Sequence, residues 1–187
     1  MMNKNIRLAL SLFAGIVAGI LFPGSEGQTT LTHPSLFRYT GDGVLPIYDV
    51  HSKEHRDIIY RDADGKYSDD ALAEIDRLLA SPSDGEQLPI SLKLIELVDH
   101  LQDHFKSPVV QILSGYRSPE HNAALKKRNR RVAHRSMHMR GRAVDMKLPG
   151  VDSRQVRNYA LSLRSGGVGY YGRNRFFHID TGPIRKW

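Results

Sequence analysis

The sequence predicts an α+β fold, with helices packed on a small, mostly antiparallel sheet. Two observations predict it. Short runs of strand-like residues recur at Leu45–Val50, Arg56–Tyr60, Val109–Leu113, Arg142–Lys147 and Phe176–Ile179. Between them lie longer segments whose apolar residues return every three or four positions, as on one face of a helix.

Taken in order, Leu45–Val50 and Arg56–Tyr60 read as a hairpin around the polar turn Ser52–His55. Asp62-Ala63-Asp64-Gly65 has the start of a calcium loop but not its later ligands, so it reads as a plain turn. Ser68 or Asp69 caps a helix bearing Leu72, Ile75, Leu78 and Leu79. Ser91 caps a second, with Leu94, Leu97, Val98, Leu101 and Phe105 on one face. Val109–Leu113 is a short strand ending at Ser114-Gly115, and 120–130 is a basic helix. Arg142–Lys147 alternates as a strand. Ser153 caps a helix through Val156, Tyr159, Ala160 and Leu163, stopped by Gly166-Gly167. Val168–Tyr171 and Phe176–Ile179 close the chain as a hairpin-like pair.

Composition narrows the chemistry. The 187 residues contain no cysteine, so thiolate metal sites, disulfides and Cys nucleophiles are excluded. Any metal must be held by His and carboxylate. The formal charge of +7 suits polyanionic surroundings, either nucleic acid or a bacterial envelope. Residues 1–27 read as a secretory leader or an uncleaved N-terminal anchor. Lys4 and Arg7 precede the apolar run Leu8–Phe22, and Ser25 and Gly27 sit at −3 and −1 of a cut before Gln28. Export to the periplasm or cell envelope follows, and it argues against nucleic acid. The run Lys126-Lys127-Arg128 then reads as a solvated helix face. Residues 28–44 form a loose linker, and 45–187 form one domain.

The chemistry lies in Ser136-Met137-His138-Met139-Arg140-Gly141-Arg142-Ala143-Val144-Asp145. His138 precedes a glycine turn, and Asp145 lies on the strand that follows. Strand side chains alternate, so Ala143 and Asp145 share one face while Val144 and Met146 share the other. In the last strand, Phe176, His178 and Asp180 point one way and Phe177 and Ile179 point into the core. His138, Asp145 and His178 can therefore enter one cleft. Two His and one carboxylate leave an open fourth position, which is the pattern of a catalytic zinc site. His33, His51, His55, His100, His104 and His121 carry no role by this reading, and His134 stays ambiguous.

The segment Ser-x-His-x-x-Gly-x-Ala-x-Asp resembles the zinc-binding segment of the LAS metallopeptidases, the group of lysostaphin, D-Ala-D-Ala metallopeptidases and the Sonic hedgehog amino-terminal domain. Five ordered motifs resemble its YcbK branch of murein endopeptidases more closely. They are Ser114-Gly115-Tyr116-Arg117-Ser118-Pro119, the His138 to Asp145 segment, Gly166-Gly167-Val168-Gly169-Tyr170-Tyr171, Phe177-His178-Ile179-Asp180-Thr181-Gly182 and Arg185-Lys186-Trp187. The resemblance runs from Leu45 to Trp187. It implies a hedgehog/D-Ala-D-Ala-peptidase-like fold and one zinc ion on His138, Asp145 and His178. It also implies hydrolysis of peptidoglycan cross-links between stem peptides, and the chain is expected to act as a monomer. Arg117 matches an arginine that binds substrate carboxylate or steadies an oxyanion, and Ser136 binds substrate or orients His138. Relatives place a general-base Glu three residues before the last His, where this chain has Arg175. Asp180 is the nearest carboxylate on that strand face, either as base or as support for His178. Two other functions would use the same ligands. One is D,D- or L,D-carboxypeptidase action on stem peptides, and the other is a zinc-containing wall-binding module without hydrolysis.

Overall fold

The computed structural model describes residues 37–130 and 132–187. The leader, His33 and the linker up to residue 36 lie outside the described residues, as does Arg131. Among the described residues no helix is long and apolar enough to cross a membrane.

The first hairpin forms as its alternation predicts. Strand β1 (Val44–Asp49) pairs antiparallel with β2 (His55–Ile59), with Leu45 opposite Ile58. Arg61 and Tyr67 then bridge across a tight turn at Asp62–Gly65, whose Asp62 carboxylate accepts the Asp64 and Lys66 amides. Helix α1 (Asp69–Leu78) starts at Ser68, whose hydroxyl accepts the Ala71 amide. Helix α2 (Leu92–Phe105) follows Ser91, but that side chain makes no capping bond. Strand β3 (Val110–Ser114) leads to α3 (Pro119–Arg128), capped by Ser118 and opened by a proline at its first position.

A 3-10 turn (Met137–Arg140) precedes β4 (Ala143–Lys147). Helix α4 (Ser153–Leu163) is capped by Asp152 rather than Ser153, because the Asp152 carboxylate reaches the Arg154 amide. It stops at Arg164, which takes a left-handed conformation at φ 52. Of the glycine pair predicted to stop this helix, Gly166 lies in the bend after it and Gly167 opens the next strand, β5 (Gly167–Tyr171). Strand β6 (Phe176–Asp180) returns antiparallel to it, and a short β7 (Arg185–Lys186) closes the edge.

The sheet has seven strands in the order β2-β1-β3-β4-β6-β5-β7. Two pairings, β1 with β3 and β5 with β7, are parallel, so the sheet is mixed though mostly antiparallel. It is larger than the small sheet the sequence predicts, because β7 has no apolar alternation to announce it. Ile47, Val110, Ile112, Val144, Met146, Phe177 and Ile179 join one core with Ile75, Leu94, Leu101 and Val156 from the helices. Asp145 and His178 stand directly opposite one another on β4 and β6, beside residues that alternate into that core.

The end of the predicted loose linker is pinned. The Gly43 amide donates to Asp99 Oδ2 at 2.9 Å, and the Asp42 amide to Asp103 Oδ2 at 2.7 Å. Both acceptors lie on α2, so acidic residues of that helix hold residues 42–43 through backbone N–H groups. Asp99 is 0% exposed and also accepts the Tyr60 hydroxyl at 2.7 Å. Its Oδ1 has no partner among the described residues.

Burial pushes the Asp99 carboxyl up to about 7, against the hydrogen bonds from Tyr60 and Gly43. The unfolded chain releases this proton near pH ~4, whereas the folded chain keeps it to about 7. Stability from the neutral group is therefore full below the unfolded value and is lost as pH rises toward the folded one. The thermal midpoint should fall between those values, and Asp99→Asn should flatten that fall. Equal slopes in thermal melts of the two proteins would remove Asp99 as its source.

Candidate metal centre

Each convergent side chain is set by local structure. Ser136 accepts the His138 amide at 3.3 Å and opens the 3-10 turn, while Gly141 closes it at φ 60. A Cβ at Gly141 would sit 2.4 Å from the Pro89 carbonyl oxygen, so the turn needs glycine both for its conformation and for its packing. His138 is thereby held at the entrance of β4. Asp145 lies two residues beyond Ala143 on that strand, and His178 is its cross-strand partner on β6.

Three acceptor atoms meet. His178 Nδ1 lies 2.8 Å from Asp145 Oδ1 and 3.1 Å from His138 Nε2, and His138 Nε2 lies 3.3 Å from Asp145 Oδ1. The outer nitrogens fix the tautomers. His138 Nδ1 is 2.6 Å from the Gly115 carbonyl, which can only accept, so Nδ1 carries the proton. His178 Nε2 is 3.0 Å from Asp180 Oδ2, which likewise calls for a proton on Nε2. Two imidazole lone pairs and a carboxylate oxygen are left facing one another. All three residues are buried, at 2%, 8% and 6% exposed for His138, Asp145 and His178.

Electron-rich atoms at such separations call for a positive charge between them. Burial lowers the His138 pKa, so this imidazole stays neutral. Burial also works against charge on His178, yet hydrogen bonds to Asp145 and Asp180 raise its pKa above the ordinary value. Burial opposes ionisation of Asp145 too, but His138 and His178 hold its carboxyl well below the usual range. A proton on His178 can supply the charge, and so can a metal cation. The set of two nitrogens and one oxygen, with outer atoms anchored, fits a cation that accepts His and carboxylate ligands.

The model of a peptidase family described as peptidoglycan L,D-endopeptidase MepK matches residues 40–187. The chain belongs to this MepK family. It is 33% identical to the peptidoglycan L,D-endopeptidase MepK of Escherichia coli K12, covering 99% of this chain and 98% of that protein. It is also 33% identical to the probable peptidoglycan L,D-endopeptidase MepK of Haemophilus influenzae, covering 99% of this chain and 96% of that one. No solved structure matches the chain.

Arg117, Ser136 and Asp180 of this MepK-family sequence lie close by. Arg117 donates from Nη2 to Asp145 Oδ2 and from Nε to Ser114 Oγ at 2.8 Å. Ser136 is 8% exposed, with its hydroxyl turned onto the His138 amide, so it shapes the turn that carries His138. Asp180 is 0% exposed and both its oxygens are engaged. Oδ1 accepts the Gly167 and Gly182 amides at 3.1 and 2.8 Å, and Oδ2 accepts from His178 and from Arg185 Nη2 at 2.6 Å. Burial opposes its charge, but the His178 hydrogen bond and these amides hold its pKa below the ordinary value.

Arg142 is committed to Thr181, donating to its carbonyl at 2.5 Å and its hydroxyl at 3.2 Å. His134 is exposed and outside the cluster, and Arg175 is exposed in the β5–β6 turn. A cleft of about 310 Å³ adjoins the centre through Ser114 and Gly115 and is lined further by Asp49, His51, Arg77 and Ser81. Sequence reasoning missed the Gly115 carbonyl, Arg185 and Trp187 as parts of the centre. The Trp187 ring lies 5.0 Å from that of His178. Backbone carbonyls leave no mark in a sequence, but the Arg-Lys-Trp motif was visible and lacked only a partner.

Proposed function

We propose that this chain is a zinc-dependent peptidoglycan endopeptidase that hydrolyses cross-link peptide bonds between stem peptides of the bacterial wall. The observation that carries it is the convergence of His138 Nε2, Asp145 Oδ1 and His178 Nδ1, with each histidine's outer nitrogen anchored. Three such ligands with no thiolate suit zinc and leave a fourth position for water or substrate. The chemistry the ion supplies when bound is Lewis acidity toward water and the scissile carbonyl.

The protein's own groups do the rest. Gly115 and Asp180 keep both imidazoles aimed inward. Arg117 stands one hydrogen bond from the ligand carboxylate and brings fixed positive charge toward the carbonyl oxygen that becomes negative. Asp180 orients His178 rather than taking the water proton, since neither of its oxygens is left over. The names of the MepK relatives favour endopeptidase over carboxypeptidase action. The order of the motifs supports a hedgehog/D-Ala-D-Ala-peptidase-like fold. A wall substrate supports an exported, periplasmic protein, and a site built from one chain supports a monomer.

Incubation of the purified protein with sacculi should release muropeptides cut at cross-links, as read by mass spectrometry. A chelator should stop the release and added zinc should restore it. Release unaffected by a chelator would overturn the metal reading. Asp180→Asn keeps the shape but not the charge, so it should weaken zinc affinity about ten- to a hundredfold, with activity returning at excess zinc. A variant inactive with its metal site full would make Asp180 the base instead.

A further inference from the structure

One face of the β5–β6 hairpin carries Tyr171 opposite Phe176 and Gly169 opposite His178. Gly167 lies against Asp180 on the same face, since a Cβ there would sit 2.4 Å from Asp180 Oδ2. The two glycines leave side-chain-sized spaces, and β7 supplies what fills them. Arg185 pairs in register with Gly167, and its Cζ would lie 3.1 Å from a Cβ at that position. Trp187 is two residues further along, so it returns to the same face. A Cβ at Gly169 would meet its indole at 2.5 Å. The alternation Gly167-x-Gly169 on β5 thus matches Arg185-x-Trp187 beside it.

The indole is held in place. The Trp187 amide donates to the Val168 carbonyl at 3.3 Å, and the Trp187 carbonyl accepts the Tyr170 amide at 3.1 Å. Indole Nε1 donates to the Tyr171 hydroxyl at 3.1 Å, so the one polar atom of the ring is satisfied. Yet Trp187 remains 47% exposed and Tyr171 40%, with Tyr171 stacked on Phe176 at 4.3 Å. The result is a fixed, exposed aromatic strip that begins at a buried histidine of the metal centre.

We infer that Trp187, with Tyr171 and Phe176, is a substrate platform that takes the hydrocarbon arm of the cross-linking residue beside the scissile bond. The inference rests on the peptidase reading of the centre. Distance selects the occupant. The indole is 5.0 Å from the His178 ring, and one extended residue spans about 3.3–3.6 Å. The strip therefore reaches the residue next to the cut, whereas the glycan begins several residues further away. Apolar methylenes laid on a fixed ring gain contact with little ordering cost to the protein.

Trp187 is the sole tryptophan, so its emission reports this strip directly. Zinc-loaded protein titrated with monomeric muropeptides, which contain no cross-link to cut, should show blue-shifted emission and reduced acrylamide quenching. Trp187→Ala should keep its zinc and raise KM for cross-linked muropeptide dimers about tenfold with little change in kcat. Trp187→Phe should recover most of that loss. Unchanged emission and quenching at muropeptide concentrations that inhibit turnover would overturn the platform. So would an unaltered KM in Trp187→Ala, or loss of zinc in that variant, which would make the ring mere packing for His178. Wild-type protein that binds no zinc would instead overturn the metal centre itself.

Discussion

His138→Ala and Asp145→Ala should each abolish muropeptide release and reduce zinc from about one per chain, the content of a three-ligand catalytic site, to a trace. Each removes one of three atoms that lie 2.8 to 3.3 Å apart in the folded chain. Two remaining ligands do not make a stable site in competition with water. The two variants should differ in stability. His138→Ala leaves the Gly115 carbonyl without its imidazole donor in a buried place. Asp145→Ala leaves Arg117, whose side chain is 14% exposed, without its carboxylate. Loss of one partner from a buried pair costs about 3–5 kcal/mol, so Asp145→Ala should melt at the lower temperature. Asp145→Asn preserves the volume and separates loss of the ligand charge from collapse of the site. Elemental analysis together with thermal melts reads all three. Full zinc retention in both alanine variants would discard this centre.

The parts of the centre differ in how visible they are in the sequence. His138, Asp145 and His178 could be placed together because strand alternation is a local rule. If Val144, Met146, Phe177 and Ile179 face the core, the residues between them face away from it, and the structure bears this out. The glycine turn after His138 was legible for the same reason. Strand β7 was not. Arg185 and Lys186 are exposed and have no apolar alternation, and they become a strand only because β5 offers its free edge. That pairing is tertiary, so the anchoring of Asp180 by Arg185 and the indole on Gly169 could not be read from either segment alone. The parallel pairing of β1 with β3 is likewise non-local, since a hairpin strand and two helices intervene. The pinned residues before β1 looked loose because their acceptors are carboxylates on α2, 56 and 61 positions away.

Arg117→Ala should keep its zinc and lose turnover by about a hundredfold or more, as removal of one preorganised oxyanion donor does. The geometry gives Arg117 two competing roles. Its Nη2 donates to the outer oxygen of Asp145, so it helps hold that carboxylate, and its Nε is fixed by Ser114. Asp145 does not depend on Arg117 alone for its position, because it sits on a central strand directly opposite His178. The metal affinity should therefore change less than the rate. What alanine cannot replace is a fixed positive charge beside a carbonyl oxygen as it becomes negative. That interaction is stronger in the transition state than in the ground state, so the loss should fall on kcat more than on KM. Arg117→Lys should recover only part, because an ammonium cannot bond Ser114 and Asp145 from one plane and still face the substrate. Zinc occupancy and muropeptide release measured on the same samples decide the question. If Arg117→Ala loses its zinc, and excess zinc restores its turnover, Arg117 is a positioning residue for Asp145 and the oxyanion must be met by another donor.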